Sequence, residues 1–371
     1  MLGILLWGHF ELLALRGSMK ISIIVRSYNE AAHIGKLMLG IAAQTLRPHE
    51  VIVVDSGSTD DTVAIASRFG AKIITIDTRE FTFGRALNLG CKAASGDILV
   101  FASAHVYPSR RSWLAELVKP FEDRRVVLSY GKQRGDGTNK YSEHQIFKAW
   151  FPEQSVCPQR SYFCNNANCA VRRETWLEQA YDETLTGLED LDWAKRAQEK
   201  GGWIAYASRA EIIHVHDESW MSVRNRYRRE AMALRRIDRS AHFTAFDFAR
   251  MLVTNCIADV RQAFRERRML KELRSVLLFR YNQFLGTYQG HNDPGEITAE
   301  LRRIFYFPNK SRGRHEEELC PVEHELINYE LLQAKGRKGF VELQDAPTVA
   351  GPRLMLVGGT STGHRGPSSE T

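Results

Sequence analysis

The chain has 371 residues, 43% hydrophobic and 26% charged, which excludes a disordered chain and fits two or three domains of about 150 residues. Its 27 glycines and 11 prolines exclude collagen-like and proline-rich scaffolds, and six cysteines are too few for a disulfide framework. The formal charge of +7 favours anionic partners such as phosphates, nucleotides or acidic lipid surfaces.

No apolar run reaches the roughly 18 residues of a membrane span. Residues 1–18, MLGILLWGHFELLALRGS, come nearest, but His9 and Glu11 interrupt them. They lack a basic leader and a small-residue cleavage site, so they read poorly as a signal peptide. Two readings stand: an extension ahead of a true start at Met19, or an interfacial helix touching membrane.

From Lys20 the β-branched run KISIIVR predicts a strand, followed by the polar turn Ser27, Tyr28, Asn29. A helix is expected over 30–44, then the apolar strand VIVVD, ending in an acidic turn rich in Gly and Ser. Helix over 62–69, strand over 72–77, helix over 84–94 and strand over 97–102 continue the alternation. Strands separated by helices of about ten residues argue βαβ units, and hence an α/β fold with a mostly parallel central sheet. Beyond residue 125, VVLSYGKQ reads as a strand and 135–161 as a long polar and aromatic connection. NNANCAVRRETW reads as strand then helix, 190–200 as helix, and WIAYA and EIIHVH as two further strands. An arginine-rich helix is expected over 222–239, with helical periodicity persisting to about Leu285. The domain reading is an extension over 1–18, a catalytic domain over 19–240, a helical C-terminal region over 241–345 and a disordered Gly/Ser/Thr-rich tail over 346–371.

In open parallel sheets ligands bind outside the carboxyl ends of the strands. There stand Arg26, Ser27, Tyr28, Asn29 and Glu30, then Asp55 to Asp60, then Ser103, Ala104 and His105. Asp55 is placed to accept hydrogen bonds from a base or ribose; the same turn also suits a helix cap at Ser58 or Asp60. No GxGxxG or P-loop pattern occurs, which argues against dinucleotide and P-loop sites.

The ordered set ISIIVRSYNE, QTLRPHEVIVVDSGSTDDT, GRALNLGCKAASGDILVF, GLEDLDWAKR and IIHVH resembles the family 2 glycosyltransferases, over roughly residues 20–230. REFTFGRALNLG, SYGKQ and NNANCAVRR are similar to the rhamnosyltransferase-like branch that builds bacterial surface polysaccharides. The resemblance implies the GT-A nucleotide-sugar fold, with Ser27, Asn29, Glu30 and Asp55 lining the nucleotide pocket. It also implies Arg85 and Asn88 near the base and diphosphate. Asp190 of Leu188-Glu189-Asp190 would be the catalytic base of an inverting transfer, and Glu189 its partner or an acceptor contact. A carboxylate beside a carboxylate has its pKa pushed up towards a useful value; the same pair also suits a helix N-terminus. The donor would be a nucleoside-diphosphate sugar, and the acceptor a glycan or lipid-linked glycan. The setting implied is cytoplasmic, peripheral at most at the inner face of an anionic membrane.

Family members usually hold Mg²⁺ or Mn²⁺ with Asp-x-Asp, where this chain has Ser103-Ala104-His105. That weakens a hard-cation site, while imidazole tolerates Mn²⁺ or a softer metal. His214 and His216, two apart on a strand end and so on one face, join His105 as candidate ligands. A divalent cation is therefore open as a cofactor. Loss of the metal motif also feeds the alternative of a non-catalytic GT-A-like scaffold, which the intact Glu189-Asp190 opposes. Residues 224–239 hold a run of arginines that suits anionic lipid, a diphosphate or a solvated face. Nucleic acid is disfavoured, because no recognition motif accompanies the charge. Cys157, Cys164 and Cys169 read as core or loop thiols. Trp150, Phe151, Tyr162 and Phe163 read either as packing or as stacking platforms for an acceptor sugar.

Overall fold

The computed structural model describes residues 19–293 and 326–333. The expectations for 1–18 and 346–371 lie outside the described residues. The alternation expected from Lys20 is realised as β1 (Ile21–Ser27), α1 (Ile34–Ala42), β2 (Glu50–Asp55), α2 (Thr62–Arg68), β3 (Lys72–Thr75), α3 (Phe83–Ala93) and β4 (Ile98–Ser103). β1 sends Ile23 and Val25 to one face and Ile24 to the other, and all three are buried because helices cover both faces. On the Ile24 side α3 lies so close that a Cβ at Gly90 would run into Ile24.

The chain then forms β5 (Val106–Pro108), α4 (Trp113–Val118), β6 (Val126–Arg134), α5 (Tyr141–Trp150), β7 (Asn168–Arg172), α6 (Arg173–Glu178), α7 (Glu189–Glu199) and β8 (Trp203–His214). Eight strands make one sheet in the order β3-β2-β1-β4-β7-β6-β8-β5. β1 is parallel to β2 and β4, β2 to β3, and β6 to β8. β7 runs antiparallel to both β4 and β6, and β5 antiparallel to β8, so the sheet is mixed. Two expectations are corrected. The connection over 135–161 contains α5, whose Ser142 and Glu143 point inward with Phe147 and so hide its apolar period. WIAYA and EIIH belong to one strand, β8, with Val215 and His216 just beyond its end, and its ladder with β6 absorbs a register shift between Gly131 and Gln133.

Three helices follow: α8 (Trp220–Ile237), α9 (Ala245–Arg265) and α10 (Met269–Asn292). Thr244 and Asp247 close a capping box at the start of α9. α10 packs on α8 with Gly286 and Gly290 against the carbonyls of Arg224 and Arg228, where a Cβ would collide. A buried ion pair locks α9 to α10: Arg280 donates to both carboxylate oxygens of Asp259, at 2.8 and 2.9 Å.

The solvated-face reading of 224–239 is also corrected for its first half. Arg224 donates to Asn282 (2.9 Å), Arg226 to Glu143 and Glu218 (2.7 Å each), and Arg228 to Asp293. The described residues through Tyr329 gather in one compact unit, and those from Glu330 belong to a second.

Candidate active site

The carboxyl ends of β1, β2 and β4 lie side by side, with Ser27 opposite Asp55 and Arg26 opposite Ser103. This register brings together the expected Ser27, Asn29, Glu30, Asp55, Ser103 and His105. Asn29 sits at φ 52°, a left-handed conformation that asparagine tolerates. Its amide N–H donates to Ser58 Oγ, and its Oδ1 accepts from Thr59 N–H, both at 2.8 Å.

Asp55 differs from its expected role. Its Oδ2 accepts from the amides of Gly57 (3.0 Å) and Ser58 (2.8 Å), and its Oδ1 from the hydroxyls of Ser27 (3.1 Å) and Ser58 (2.5 Å). Four donors from the surrounding turns occupy it, so here it organises the pocket wall. Of the caps expected at Ser58 or Asp60, Asp60 makes the bond, its Oδ1 accepting from the amide of Thr62 at the start of α2 (3.0 Å), while the Ser58 hydroxyl goes to Asp55.

Arg85 and Asn88 also depart from expectation. Asn88 is buried, donates to Tyr181 O and Glu183 Oε1 (2.9 Å each), and accepts from Trp176 Nε1 and Tyr181 N. All its hydrogen-bonding capacity goes to tying α3 to the 176–183 segment. Arg85 pairs with Glu80 at 2.8 Å and Glu183 at 3.4 Å.

The acidic pair meets the end of β1 through Arg26. Leu188 enters α7 at φ 54°, a left-handed position costly for a branched side chain and of the kind found at functional sites. Asp190 is buried and accepts from the amides of Asn166 and Leu191, both at 2.9 Å. Burial first, and the neighbouring Glu189 charge second, push its carboxyl up to about 7. Glu189 accepts from Arg26 at 3.0 Å. The guanidiniums of Arg26 and Arg229 lie 4.9 and 4.7 Å from the centroid of the Phe83 ring, so two cations share that ring and one of them holds Glu189.

The three histidines converge because β5 pairs with the end of β8, setting Val106 opposite His214. One ring nitrogen of each of His105, His214 and His216 lies within 4.8 Å of the other two. Each Nδ1 meets an acceptor: Glu30 for His105 (3.1 Å), Gln133 for His214 (2.8 Å) and Glu143 for His216 (2.6 Å). That leaves the Nε2 atoms for a common ligand, the arrangement in which carboxylates orient metal-binding imidazoles. His214 and His216 bring their Nε2 atoms to 2.9 Å, an approach that needs a proton or a cation between two lone pairs. Burial, then the charges of His216 and His105, hold His214 well below its ordinary value, which favours the neutral, ligating form. Burial alone would raise Glu143, but the facing His216 and Arg226 more than offset it and hold it low. The donor set therefore fits a divalent cation of the borderline class better than Mg²⁺.

Several residues of this site escaped the motif reading. Arg26 was visible at a strand end. Gln133, Glu143 and Arg226 carried no spacing signal, since each reaches the histidines through a tertiary contact. Phe151 is buried against Tyr130, Phe147 and Phe163, while Trp150 is half exposed and edge-on to Phe163. Among the described residues the cysteines are free, and burial raises the thiols of Cys164 and Cys169.

Residues 22–180 match the model described as Glycosyl transferase family 2. The O-antigen chain rhamnosyltransferase RfbN of Salmonella typhimurium is 27% identical over 212 residues, 54% of this chain and 67% of that protein. The O-antigen chain rhamnosyltransferase WbaN of Salmonella anatum is 27% identical over 208 residues, 53% of this chain and 66% of that protein. The alignments thus span about two thirds of these relatives. Among solved structures, the mannosyltransferase PcManGT from Pyrobaculum calidifontis, in complex with GDP-Man and Mn²⁺, superposes with a TM-score of 0.52 at 19% identity. That match covers 78% of this chain and 95% of the other, and at such identity it speaks for the fold alone. Residues 22–180 are a family 2 glycosyltransferase domain, set in a chain with the GT-A fold and a helical C-terminal region.

Proposed function

We propose that the chain is an inverting glycosyltransferase, moving a sugar from a nucleoside-diphosphate donor to a hydroxyl of a glycan or lipid-linked acceptor in surface polysaccharide synthesis. The observation that carries this reading is Asp190, a buried carboxylate pushed up to about 7 beside the carboxyl ends of the sheet. A base with that pKa is half-ionised near neutrality and takes a hydroxyl proton readily. Asp190 removes the acceptor proton as the hydroxyl oxygen attacks the anomeric carbon from the face opposite the leaving group. The bond to the nucleoside diphosphate breaks, the electron pair leaves with the phosphate oxygen, and the proton stays on Asp190. Arg26, held by Glu189, and Arg229 across the Phe83 ring offer positive charge to the departing diphosphate. His105, His214 and His216 would hold a divalent cation, which when bound supplies further charge neutralisation at the diphosphate.

The rhamnosyl-transfer names of the two Salmonella relatives support a deoxyhexose donor and an O-antigen-like acceptor. The test is a thermal-shift panel of UDP, dTDP, GDP and CMP, each with Mn²⁺, with Mg²⁺ and with chelator. One nucleotide is expected to stabilise the chain, by about 2.7 kcal/mol at a hundredfold excess over Kd, and Mn²⁺ is expected to add more than Mg²⁺. Stabilisation by none of the four overturns the enzyme reading in favour of a non-catalytic scaffold.

A further inference from the structure

We propose that the outer face of the α9–α10 hairpin is a docking surface for an anionic lipid bilayer. The proposal goes beyond sugar transfer and does not depend on it. On α9, Phe246, Val253, Ile257 and Phe264 are exposed, Phe246 by 74% and Phe264 by 68%. Steps of seven, four and seven residues set them along one side of a helix. On α10, Leu270 (89% exposed), Leu273, Leu277 and Tyr281 repeat the pattern at steps of three, four and four. Phe248 of α9, outside that stripe, meets Tyr281 of α10 edge-on, with ring centroids 6.3 Å apart, one of the contacts that pack the two helices together. The buried Asp259–Arg280 pair holds the hairpin together, which makes the face preformed. Two such exposed apolar stripes on neighbouring helices mark a surface that something covers.

The charges around the patch select the occupant. Arg250, Arg261, Arg265, Arg267, Lys271 and Arg274 are exposed, and none of the exposed positions over 242–281 is Asp or Glu. The acids of the two helices are turned inward or paired: Asp259 with Arg280, Asp247 with Arg250 and Glu272 with Arg268. A second copy docked on this face would set one cationic surface against another, with like charges opposed. An anionic bilayer satisfies both features, because the apolar side chains enter the acyl boundary while the arginines meet headgroup phosphates. No described helix is long and apolar enough to cross a membrane, so these two would lie in the interfacial plane.

The experiment is co-sedimentation of the full chain with vesicles of phosphatidylcholine alone, or of phosphatidylcholine enriched in phosphatidylglycerol. Mass in solution is read in parallel. The wild type is expected to partition into the anionic vesicles roughly tenfold better than into the neutral ones, and to be released by high salt. The Phe264→Glu/Leu270→Glu variant changes only exposed side chains. It is expected to keep the wild-type melting temperature and lose about tenfold in partition. Equal binding of variant and wild type to anionic vesicles overturns the proposal. So does a wild type that ignores vesicles, whether it is monomeric or forms a dimer that the variant dissolves; the dimer would assign the face to a second copy.

Discussion

Asp55 and Asp190 are both buried carboxylates, one at the end of β2 and the other at the start of α7, and the protein uses them differently. Asp55 takes four hydrogen bonds from the Ser27 and Gly57–Ser58 turns. Asp190 has two amide donors, a full desolvation cost and the charge of Glu189 beside it. A carboxylate whose lone pairs are taken up by its own turns fixes backbone shape. One that is buried, short of donors and next to a like charge is held ready to take a proton. The difference lies in the surroundings, since each residue is simply an acid in a polar turn when read along the chain.

The largest expected effect comes from Asp190→Asn. General-base removal costs about 10²–10⁴ in turnover, so kcat should fall roughly a thousandfold while nucleotide Kd stays within about threefold. Turnover of donor and calorimetric titration of nucleotide measure the two quantities, and wild-type turnover in the variant would remove Asp190 from the mechanism. Asp55→Ala should act on stability instead. Leaving the half-buried Gly57 and Ser58 amides and two hydroxyls without their acceptor costs about 1–3 kcal/mol, read by denaturant unfolding. A variant as stable as wild type would collapse the contrast between the two acids. A smaller effect is expected at the histidines, where His105→Ala, a half-buried position, should weaken Mn²⁺ binding about tenfold without unfolding the chain. Unchanged Mn²⁺ affinity by calorimetry would take His105 out of the triad.

A further expected effect is a pH dependence of stability. The folded pKa of Asp190, about 7, lies above its ordinary 3.8. Its contribution is therefore fully present below about 4 and is lost as pH rises through about 7. In Asp190→Asn that decline should flatten, as chemical denaturation at pH 5 and pH 8 would report.

Much of the β-α alternation was legible because the first strands are buried on both faces and so read as continuous apolar runs, as in Ile21–Val25. The strand-end rule then located Ser27, Asn29, Glu30 and His105 without any contact information. His214 and His216 were legible as a pair from their spacing, but their meeting with His105 depends on the β5–β8 pairing, which no local signal encodes. α5 stayed hidden because it turns Glu143 inward to serve His216 and Arg226, which reverses the usual polar-outward pattern. The protein partners of Asn88 and Arg85 were hidden for a related reason, since those over 176–183 come from a remote stretch of chain. The inward arginines of α8 likewise depend on Asn282 and Asp293, about sixty residues away in sequence.

The most direct measurement is the pH profile of kcat/KM for donor turnover in the wild type and in Glu189→Gln. If Asp190 is the base, the wild-type rate rises with pH through about 7 and then levels. Removing the neighbouring negative charge makes ionisation of Asp190 easier, so in Glu189→Gln the rising limb moves to lower pH. A wild-type profile flat down to pH 5, or a limb that Glu189→Gln leaves in place, would contradict the assignment of the base.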